Sequence, residues 1–466
     1  MSAVEYYQAD AGENSLNGYC RGNLVFSKGK CRMQEDNAFS INVSSNERKD
    51  NDKIQEKLWT RGFFILWQGQ LVSTLGDAAY SVALGFWVLQ VTGSTALMGT
   101  LMAASTLPGV IISPFAGVLV DRTNRKRLLI LMDFLRGLCV CLVAVAAFNR
   151  LIAVWMVFAA GIILSICGAA FRPGISASIP DLVPKSKLLN ANSVFQIVSN
   201  GANMLGNIAG GFLFQLLGAS FMFLFNGLSY LFSGVSISFV KMPSVKRETK
   251  LDFFKDMGDG FRFIWRFKGL RAAMILSAFD NFLSFIAIVL ILPLFERTPY
   301  LGPARYGIIM ACFMGGMMGG YLLTSFIKIP HTKNLFVFMS AFIVSSVCFI
   351  IGVNLRIFSA MVVLIAAGGF LNSILNVILQ TSVQRATPQE VRGKVMAFLS
   401  MISQGLTPIS MALGGVLAEF FPIRGIMNVS FSLAVLAVTP FAFVRPFRQY
   451  LNFDYDHHDV CELIDN

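Results

Sequence analysis

The chain has 466 residues, of which 55% are apolar and only 14% are charged, and its formal net charge is +12. A soluble domain carries about 25% charged residues, so this composition excludes a fully water-facing surface and favours a protein surrounded by lipid. The lysines and arginines stand between long apolar runs, which is typical of basic cytoplasmic loops rather than of a nucleic-acid-binding protein.

The first 57 residues are polar and lack the apolar core and small-residue cleavage site of a signal peptide. We interpret residues 1–57 as a disordered cytoplasmic tail, with a true start at Met33 as the alternative. The eight cysteines include no CxxC pair, and several lie in apolar segments, where cysteine behaves as a small hydrophobic residue. We therefore expect no disulfide framework, no metal site and no cofactor.

Twelve apolar segments follow, and each is long enough to cross the roughly 30 Å hydrocarbon layer as a helix. They cover 63–91, 96–120, 128–149, 152–172, 191–217, 220–240, 271–295, 304–327, 333–353, 356–382, 393–420 and 424–444. The sequence thus predicts an all-α membrane protein with twelve transmembrane helices in two pseudo-symmetric six-helix bundles. The predicted bundles are residues 58–241 and 271–445, joined by a cytoplasmic linker at 242–270 and followed by a cytoplasmic tail at 446–466.

Basic residues concentrate in the connections on one side of these segments. Arg125, Lys126 and Arg127 follow the second segment, whereas the next connection holds only Arg150. This bias predicts a multi-pass inner-membrane protein with both termini in the cytoplasm. In the linker, Phe253, Met257, Phe261 and Ile264 recur at helical spacing, which indicates an amphipathic helix on the membrane surface or a partly helical connection.

The two halves repeat each other at a nearly constant offset. Asp77 matches Asp280 in the first helix of each half, and Gly210–Gly211 match Gly414–Gly415 in the fifth helix of each half. Matches in the same order indicate parallel duplication, and transporters built this way bind substrate between their halves near the middle of the membrane.

Ionisable residues inside apolar segments are costly and therefore mark functional sites. Asp77 shares a helical stripe with Gln70, and Asp280 lies beside Asn281 in the equivalent helix. Burial disfavours the charged carboxylate, so each aspartate is a candidate proton carrier or a candidate partner of a cationic substrate. The alternative is a carboxylate neutralised by a neighbouring arginine.

The connection after the second segment runs from Gly117 through Asp121, Arg122 and Asn124 to Arg125-Lys126-Arg127. It resembles the signature loop GxxxDRxGRR of the major facilitator superfamily, with Asn124 where glycine is usual. Asparagine tolerates a left-handed backbone, so we expect the tight turn to survive. Asp121 is expected to receive backbone donors at the start of a facing helix, and the arginines to bridge to the other half as a conformational gate; a simple topology signal is the alternative.

Charged residues continue along the third and fourth segments. Asp133 and Arg136 stand three residues apart, which favours a local ion pair, with a pair between Arg136 and Asp77 as the alternative. Arg172 lies near the cytoplasmic end of the fourth segment, where its side chain reaches the interface or joins the Asp121 network.

The fifth segment combines glycines with a stripe of amides. Gly201, Gly206, Gly210 and Gly211 resemble the antiporter motif GPxxGG, with Asn207 in place of proline; close helix packing is the alternative. Two amide stripes occupy the fifth and tenth segments, and they point to a water-filled cavity or to hydrogen bonds between helices. Their members are Gln196, Asn200, Asn203 and Asn207, then Asn372, Asn376, Gln380 and Gln384.

The resemblance is strongest to the drug-efflux branch that includes macrolide exporters, and siderophore exporters are similar. It implies a multidrug transporter for antibiotic resistance that exports a hydrophobic or amphiphilic small molecule by proton antiport. Alternatives are export of a siderophore or another metabolite, lysophospholipid flipping, nutrient uptake and sensing. The expected partners are a small-molecule substrate, protons and the lipid bilayer, without nucleic acid, and we expect a monomer. No phosphate-binding loop or catalytic constellation stands out, so we expect neither an ATP-driven pump nor an enzyme.

Overall fold

The computed structural model describes residues 58–242, 253–327, 329–387 and 389–454. The predicted tail at 1–57 and parts of the linker and C-terminal tail lie outside these ranges. The α-helices, numbered in chain order, are α1 Arg61–Thr92, α2 Thr95–Ala104, α3 Leu107–Arg122, α4 Arg125–Phe148, α5 Val154–Leu182, α6 Leu188–Ser238, α7 Phe253–Arg266, α8 Lys268–Val289, α9 Ile291–Arg297, α10 Gly302–Phe326, α11 Asn334–Asn354, α12 Phe358–Ala386, α13 Gln389–Gly405, α14 Thr407–Phe420, α15 Ile423–Val438 and α16 Arg445–Asn452.

Within these ranges, 11 helical stretches are long and apolar enough to cross a membrane. The longest, Asn190–Ser238, contains two crossings, because Gly218 interrupts α6 with a non-helical backbone of φ 75° and ψ 179°. Only glycine adopts this conformation readily. The predicted twelve transmembrane helices are therefore confirmed, including the boundary between the fifth and sixth.

Three predicted continuous helices are in fact interrupted. The stretch 96–120 breaks between α2 and α3, 271–295 breaks at Leu290, and 393–420 breaks at Leu406. A proline follows each break, namely Pro108, Pro293 and Pro408. Proline lacks an N–H group and its ring clashes with the carbonyl four residues earlier, and each preceding helix ends within one residue of that position.

The fourth transmembrane helix is longer than predicted. It was expected to end at 172, before Pro173, but α5 continues through Pro173 and Pro180 to Leu182. A proline inside a helix costs about 3 kcal/mol. The extension packs Ile175 and Ile179 against the start of α1 and α4, and membrane helices tolerate proline where neighbouring helices and side chains satisfy the freed backbone groups.

The described helices form an N-terminal bundle (α1–α6) and a C-terminal bundle (α8–α15). Contacts between the bundles follow a pseudo-twofold relation: α6 packs on α10, and α14 packs on α2. We call the side of the molecule where Gly93 and Ser94 connect α1 to α2 the Gly93 face, and the opposite side, where Asn124 precedes α4, the Asn124 face. The positive-inside bias predicts that the Asn124 face is cytoplasmic.

The predicted helix of the linker is present as α7. Its Ile264 is fully buried while Phe261 is exposed, and the Phe261 ring lies 5.5 Å from the ring of Phe398 in α13. The side chains of Phe253 and Met257 lie outside the described part. Its position on the membrane surface stays a prediction.

Candidate transport site

Close packing of glycines brings α1, α4 and α6 together around Asp77. A Cβ atom at Gly76 would lie 2.7 Å from Asn226 Oδ1 and 3.1 Å from Ser229 Cβ. A Cβ atom at Gly137 of α4 would lie 3.1 Å from the carbonyl oxygen of Gly227. Small residues allow helix backbones to approach this closely in lipid. Side chains from these three helices, joined by one from α5, therefore converge inside the N-terminal bundle.

The convergent side chains form one connected cluster. The Tyr230 hydroxyl donates a hydrogen bond to Asp77 Oδ1, and the Arg136 guanidinium donates to Asp133 Oδ1. The Arg136 guanidinium carbon lies 4.0 Å from the Phe171 ring centroid and 4.4 Å from the Tyr230 ring centroid. These five residues (Asp77, Asp133, Arg136, Phe171 and Tyr230) are hereafter the Asp77 cluster.

The Asp77 cluster shows which carboxylate pairs with Arg136, a choice between Asp133 and Asp77 that the sequence left open. The local ion pair of Asp133 and Arg136 is present, and both side chains are buried. Among the described residues Arg136 makes no ion pair with Asp77, although Arg136 and the exposed Arg172 both act on Asp77 electrostatically. The cluster thus holds two carboxylates but one guanidinium. Ionising both carboxylates leaves one buried negative charge uncompensated, and protonation removes it.

The signature loop is described only in part. Gly117, Asp121 and Arg122 belong to α3, but the surroundings of Gly117 and the side chains of Asp121 and Arg122 lie outside the described part, so their predicted gate role stays untested. Asn124 has φ −71° and ψ 105°, so the expected left-handed backbone is wrong. Instead, its side-chain oxygen accepts a hydrogen bond from the backbone N–H of Arg127 at 3.1 Å and caps α4.

Arg125 connects this loop to its own bundle. Its guanidinium lies 2.9 Å from Asp181 Oδ2 of α5 and donates to the Ala177 carbonyl oxygen at 3.1 Å. A bridge from the arginines to the other half was expected, whereas this ion pair joins two helices of the N-terminal bundle. The Arg127 side chain is exposed.

Asp280 occupies a different environment from Asp77. It lines a cavity of about 290 Å³ within the C-terminal bundle, together with Ser284 and Asn376. Ser284 Oγ donates to Asp280 Oδ1 at 3.2 Å, and no cationic side chain pairs with this carboxylate among the described residues. Phenylalanines and methionines form much of the wall: Phe285, Phe313, Phe338, Phe342, Phe349, Phe431, Met310, Met317 and Met427.

This cavity is not the chamber between the halves that the sequence predicts, and that chamber stays a prediction. A chamber between the halves was expected to contain both Asp77 and Asp280, but the residues that line this cavity all belong to the C-terminal bundle. Asp77 instead contacts Tyr230 inside the N-terminal bundle. The two aspartates therefore lie in separate environments.

The side chains of the predicted amide stripes do not share one environment. Asn376 faces the cavity, where its amide donates to Asn372 Oδ1 at 3.0 Å. Asn203 donates to the Ser199 carbonyl oxygen of its own helix at 2.7 Å. Asn200 and Gln380 are exposed outside the cavity wall, and the Gln70 side-chain nitrogen is buried without a hydrogen-bond partner among the described residues.

The glycines of the antiporter-like motif have three different environments. Gly206 and Gly210 place α6 against α1, since their Cβ atoms would lie 2.6 Å from Ala78 Cβ and 2.8 Å from Ala79 Cα. Gly211 faces the other bundle, where its Cβ would lie 3.1 Å from the Gly307 nitrogen of α10. Gly201 has no such neighbour within 4 Å. Close packing is therefore observed, and an antiport role stays a prediction.

Polar contacts join the bundles at the Gly93 face. Glu419 at the end of α14 accepts hydrogen bonds from Ser94 Oγ at 2.7 Å and from the Ala96 N–H at 2.9 Å. It thereby caps α2 of the other bundle, where the helix dipole favours a carboxylate. Arg297 Nη2 donates to the Gly93 carbonyl oxygen at 3.0 Å.

Sequence reasoning missed Tyr230, Phe171 and Glu419. Tyr230 and Phe171 sit in apolar segments rich in aromatic residues, so nothing in the pattern distinguished them from lipid-facing or packing side chains. Glu419 offered a weak signal, because it is an acidic residue at the end of an apolar segment.

A family model described as transmembrane secretion effector matches residues 57–456. The chain belongs to this family. Macrolide efflux protein A of Streptococcus pyogenes is 25% identical over 401 residues, covering 83% of this chain and 96% of that protein. The multidrug efflux pump Tap of Mycolicibacterium fortuitum is 26% identical over 369 residues, covering 75% and 87%.

Solved structures agree on the fold. The nucleoside transporter NupG superposes with a TM-score of 0.61 at 14% identity, covering 85% of this chain and all of that one. The chain is therefore a multi-pass membrane protein of the major facilitator superfamily. It is an efflux-type transporter that binds a substrate, and it is not an enzyme.

Proposed function

We propose that this protein is a secondary-active exporter of cationic amphiphilic molecules, such as macrolide drugs, driven by inward proton flow. One observation carries the proposal: the cavity of the C-terminal bundle combines an aromatic and methionine-rich wall with Asp280, a carboxylate that has no cationic partner in the described structure. An apolar wall with one convergent charge suits an amphiphile with a single cation. Methionine adapts to varied shapes, which suits a range of substrates.

The same carboxylate discriminates among the alternative substrates. An anionic siderophore or a lipid phosphate in the cavity would be repelled by ionised Asp280, whereas a protonated amine would be attracted to it. The names of the similar proteins, macrolide efflux protein A and the multidrug pump Tap, support an amphiphilic drug.

Proton coupling is assigned to the Asp77 cluster. The cluster holds one more carboxylate than it has guanidinium groups, and this carboxylate loses its negative charge when it binds a proton. The side chains of the cluster come from α1, α4, α5 and α6, so a change of its charge affects the packing of four helices. In this mechanism residues 58–241 and 271–445 rock about the substrate and give alternating access, with Gly117, Asp121, Arg122, Arg125 and Arg127 stabilising one state. The protein lies in the inner membrane as a monomer, with both termini cytoplasmic.

Efflux of a macrolide from cells, with and without a proton uncoupler, tests this function. We expect the expressing cells to accumulate less erythromycin than empty cells, and the uncoupler to abolish the difference. Asp280→Asn should raise the apparent KM for this cationic drug at least about tenfold. The reason is that the attraction between two opposite unit charges, at an effective dielectric constant of about 20, exceeds the roughly 1.4 kcal/mol that corresponds to a tenfold change in affinity. The KM for an analogue whose amine has been made neutral should change less than twofold.

Glu296→Gln is the matched control, since it makes the same acid-to-amide change in α9, outside the cavity wall. Equal accumulation in expressing and empty cells would contradict drug export. An equal effect of Asp280→Asn on the charged and neutral drugs would contradict cation recognition by Asp280.

A further inference from the structure

Tyr230 occupies the centre of the Asp77 cluster, and the transport function proposed above gives it no role of its own. Its hydroxyl donates a hydrogen bond to Asp77 Oδ1, and the face of its ring lies against the Arg136 guanidinium. Tyr230 is only 2% exposed. It is therefore the side chain that joins Asp77 of α1 to the Asp133–Arg136 pair of α4.

We propose that Tyr230 is a positioning residue that couples the charge of Asp77 to the packing of α4, α5 and α6. The inference rests on the proposed proton role of Asp77. A phenol hydroxyl donates to an ionised carboxylate in a charge-assisted hydrogen bond, which is about twice as strong as a neutral one. Protonation of Asp77 weakens this bond and lets the Tyr230 ring move.

Movement of the Tyr230 ring reaches Arg136 directly. Arg136 lies between two aromatic rings, 4.0 Å from the Phe171 centroid and 4.4 Å from the Tyr230 centroid. Cation–π attraction is strongest in a desolvated site such as this one. A shift of Tyr230 therefore changes the contact between Arg136 and Phe171, and so between α4 and α5.

The other charged groups around Asp77 do not provide this link. Among the described residues Arg172 of α5 is exposed and acts on Asp77 only at longer range, and Asp133 is already paired with Arg136. Among the described residues, another hydroxyl close enough to interact with the Asp77 charge is that of Tyr80 on the same helix. It is buried and has no hydrogen-bond partner in the described structure.

Tyr80 supplies a matched control for a test with purified protein in proteoliposomes. Tyr230→Phe and Tyr80→Phe each remove one buried hydroxyl and keep the ring. Three quantities are measured for each variant: pH-gradient-driven transport of labelled erythromycin, exchange of the drug at equal pH, and drug binding. A folding defect would lower all three together.

We expect Tyr230→Phe to slow gradient-driven transport about tenfold, the equivalent of losing one hydrogen bond to a charged group. Drug binding and exchange should stay within twofold of the unmodified protein, and Tyr80→Phe should leave all three unchanged. In an Asp77→Asn background, Tyr230→Phe should add no further loss, because its partner carboxylate is already absent.

Two results overturn the positioning role alone: Tyr230→Phe behaves like Tyr80→Phe, or its loss is fully additive with that of Asp77→Asn. A different result reports on the proposed function itself. If Asp77→Asn keeps full gradient-driven transport, Asp77 does not carry the coupling proton, and the role of Tyr230 falls with it.

Discussion

Equivalent aspartates in the two bundles meet different neighbours. At the offset that relates Gly210 to Gly414, Tyr230 corresponds to Ala434. The C-terminal bundle thus has a small side chain where the N-terminal bundle has the phenol that contacts Asp77. This difference helps to explain why Asp280 faces a cavity while Asp77 is enclosed by its cluster.

The buried ion pair of the Asp77 cluster gives a prediction about stability. Arg136→Met leaves the Asp133 carboxylate buried without a counter-charge, which costs about 3–5 kcal/mol. We expect the melting temperature of the purified protein in detergent to fall by roughly 5–10 °C. Adding Asp133→Asn should recover most of the loss, and Arg356→Met, at an exposed site, should change little. If Arg136→Met alone were as stable as Arg356→Met, the Asp133–Arg136 pair would not contribute to stability as proposed.

Prolines determine where helices end, and glycines determine how closely neighbouring helices pack. Proline acts within its own helix, so the breaks before Pro108, Pro293 and Pro408 have a local cause. Glycine acts on a neighbouring helix, and its effect depends on what faces it. A Cβ atom at Gly415 would lie 2.8 Å from Gly99 Cα of the other bundle, whereas Gly405 has no such neighbour within 4 Å.

Gly415→Ala should therefore separate α14 from α2 and open the Gly93 face. We expect faster labelling of a cysteine introduced at Ser94 by a membrane-impermeant maleimide, by about fivefold or more. Gly211→Ala should act in the same direction, because it occupies the equivalent contact between α6 and α10. Gly405→Ala is the control and should leave the labelling rate unchanged. Unchanged labelling in Gly415→Ala would show that this contact does not hold the face closed.

At the scale of the whole molecule, the bundles meet at the Gly93 face through paired helix contacts and through Glu419 and Arg297. The alternating access proposed above requires these contacts to break in each cycle. Glycine contacts and a few exposed hydrogen bonds suit this purpose, since exposed polar pairs contribute little net stability and can be exchanged for water.

A cross-link at the Gly93 face tests whether the bundles separate there. In a cysteine-free background, the pair Ser94→Cys with Glu419→Cys should form a disulfide that stops transport, and a reductant should restore it. The pair Asn354→Cys with Asn428→Cys joins α11 to α15 within one bundle, where the two amides are 2.8 Å apart. This control disulfide should leave transport unchanged. Full transport by the cross-linked Ser94–Glu419 pair would mean that the face stays closed throughout the cycle.

The sequence alone determined the twelve crossings, the boundary between the fifth and sixth of them, and the presence of aspartates within the apolar segments. These properties are local, because hydrocarbon thickness and the need for backbone hydrogen bonds act on each segment separately. The spacing of Asp133 and Arg136 was sufficient to predict their ion pair for the same reason.

Only the tertiary structure decided which side chains meet. The contacts of Tyr230 with Asp77, of Phe171 with Arg136 and of Glu419 with α2 join residues far apart in the chain. They depend on the rotation and close approach of neighbouring helices, which hydropathy does not encode. The same is true of the cavity around Asp280, since its volume is what remains after the side chains of several helices have packed.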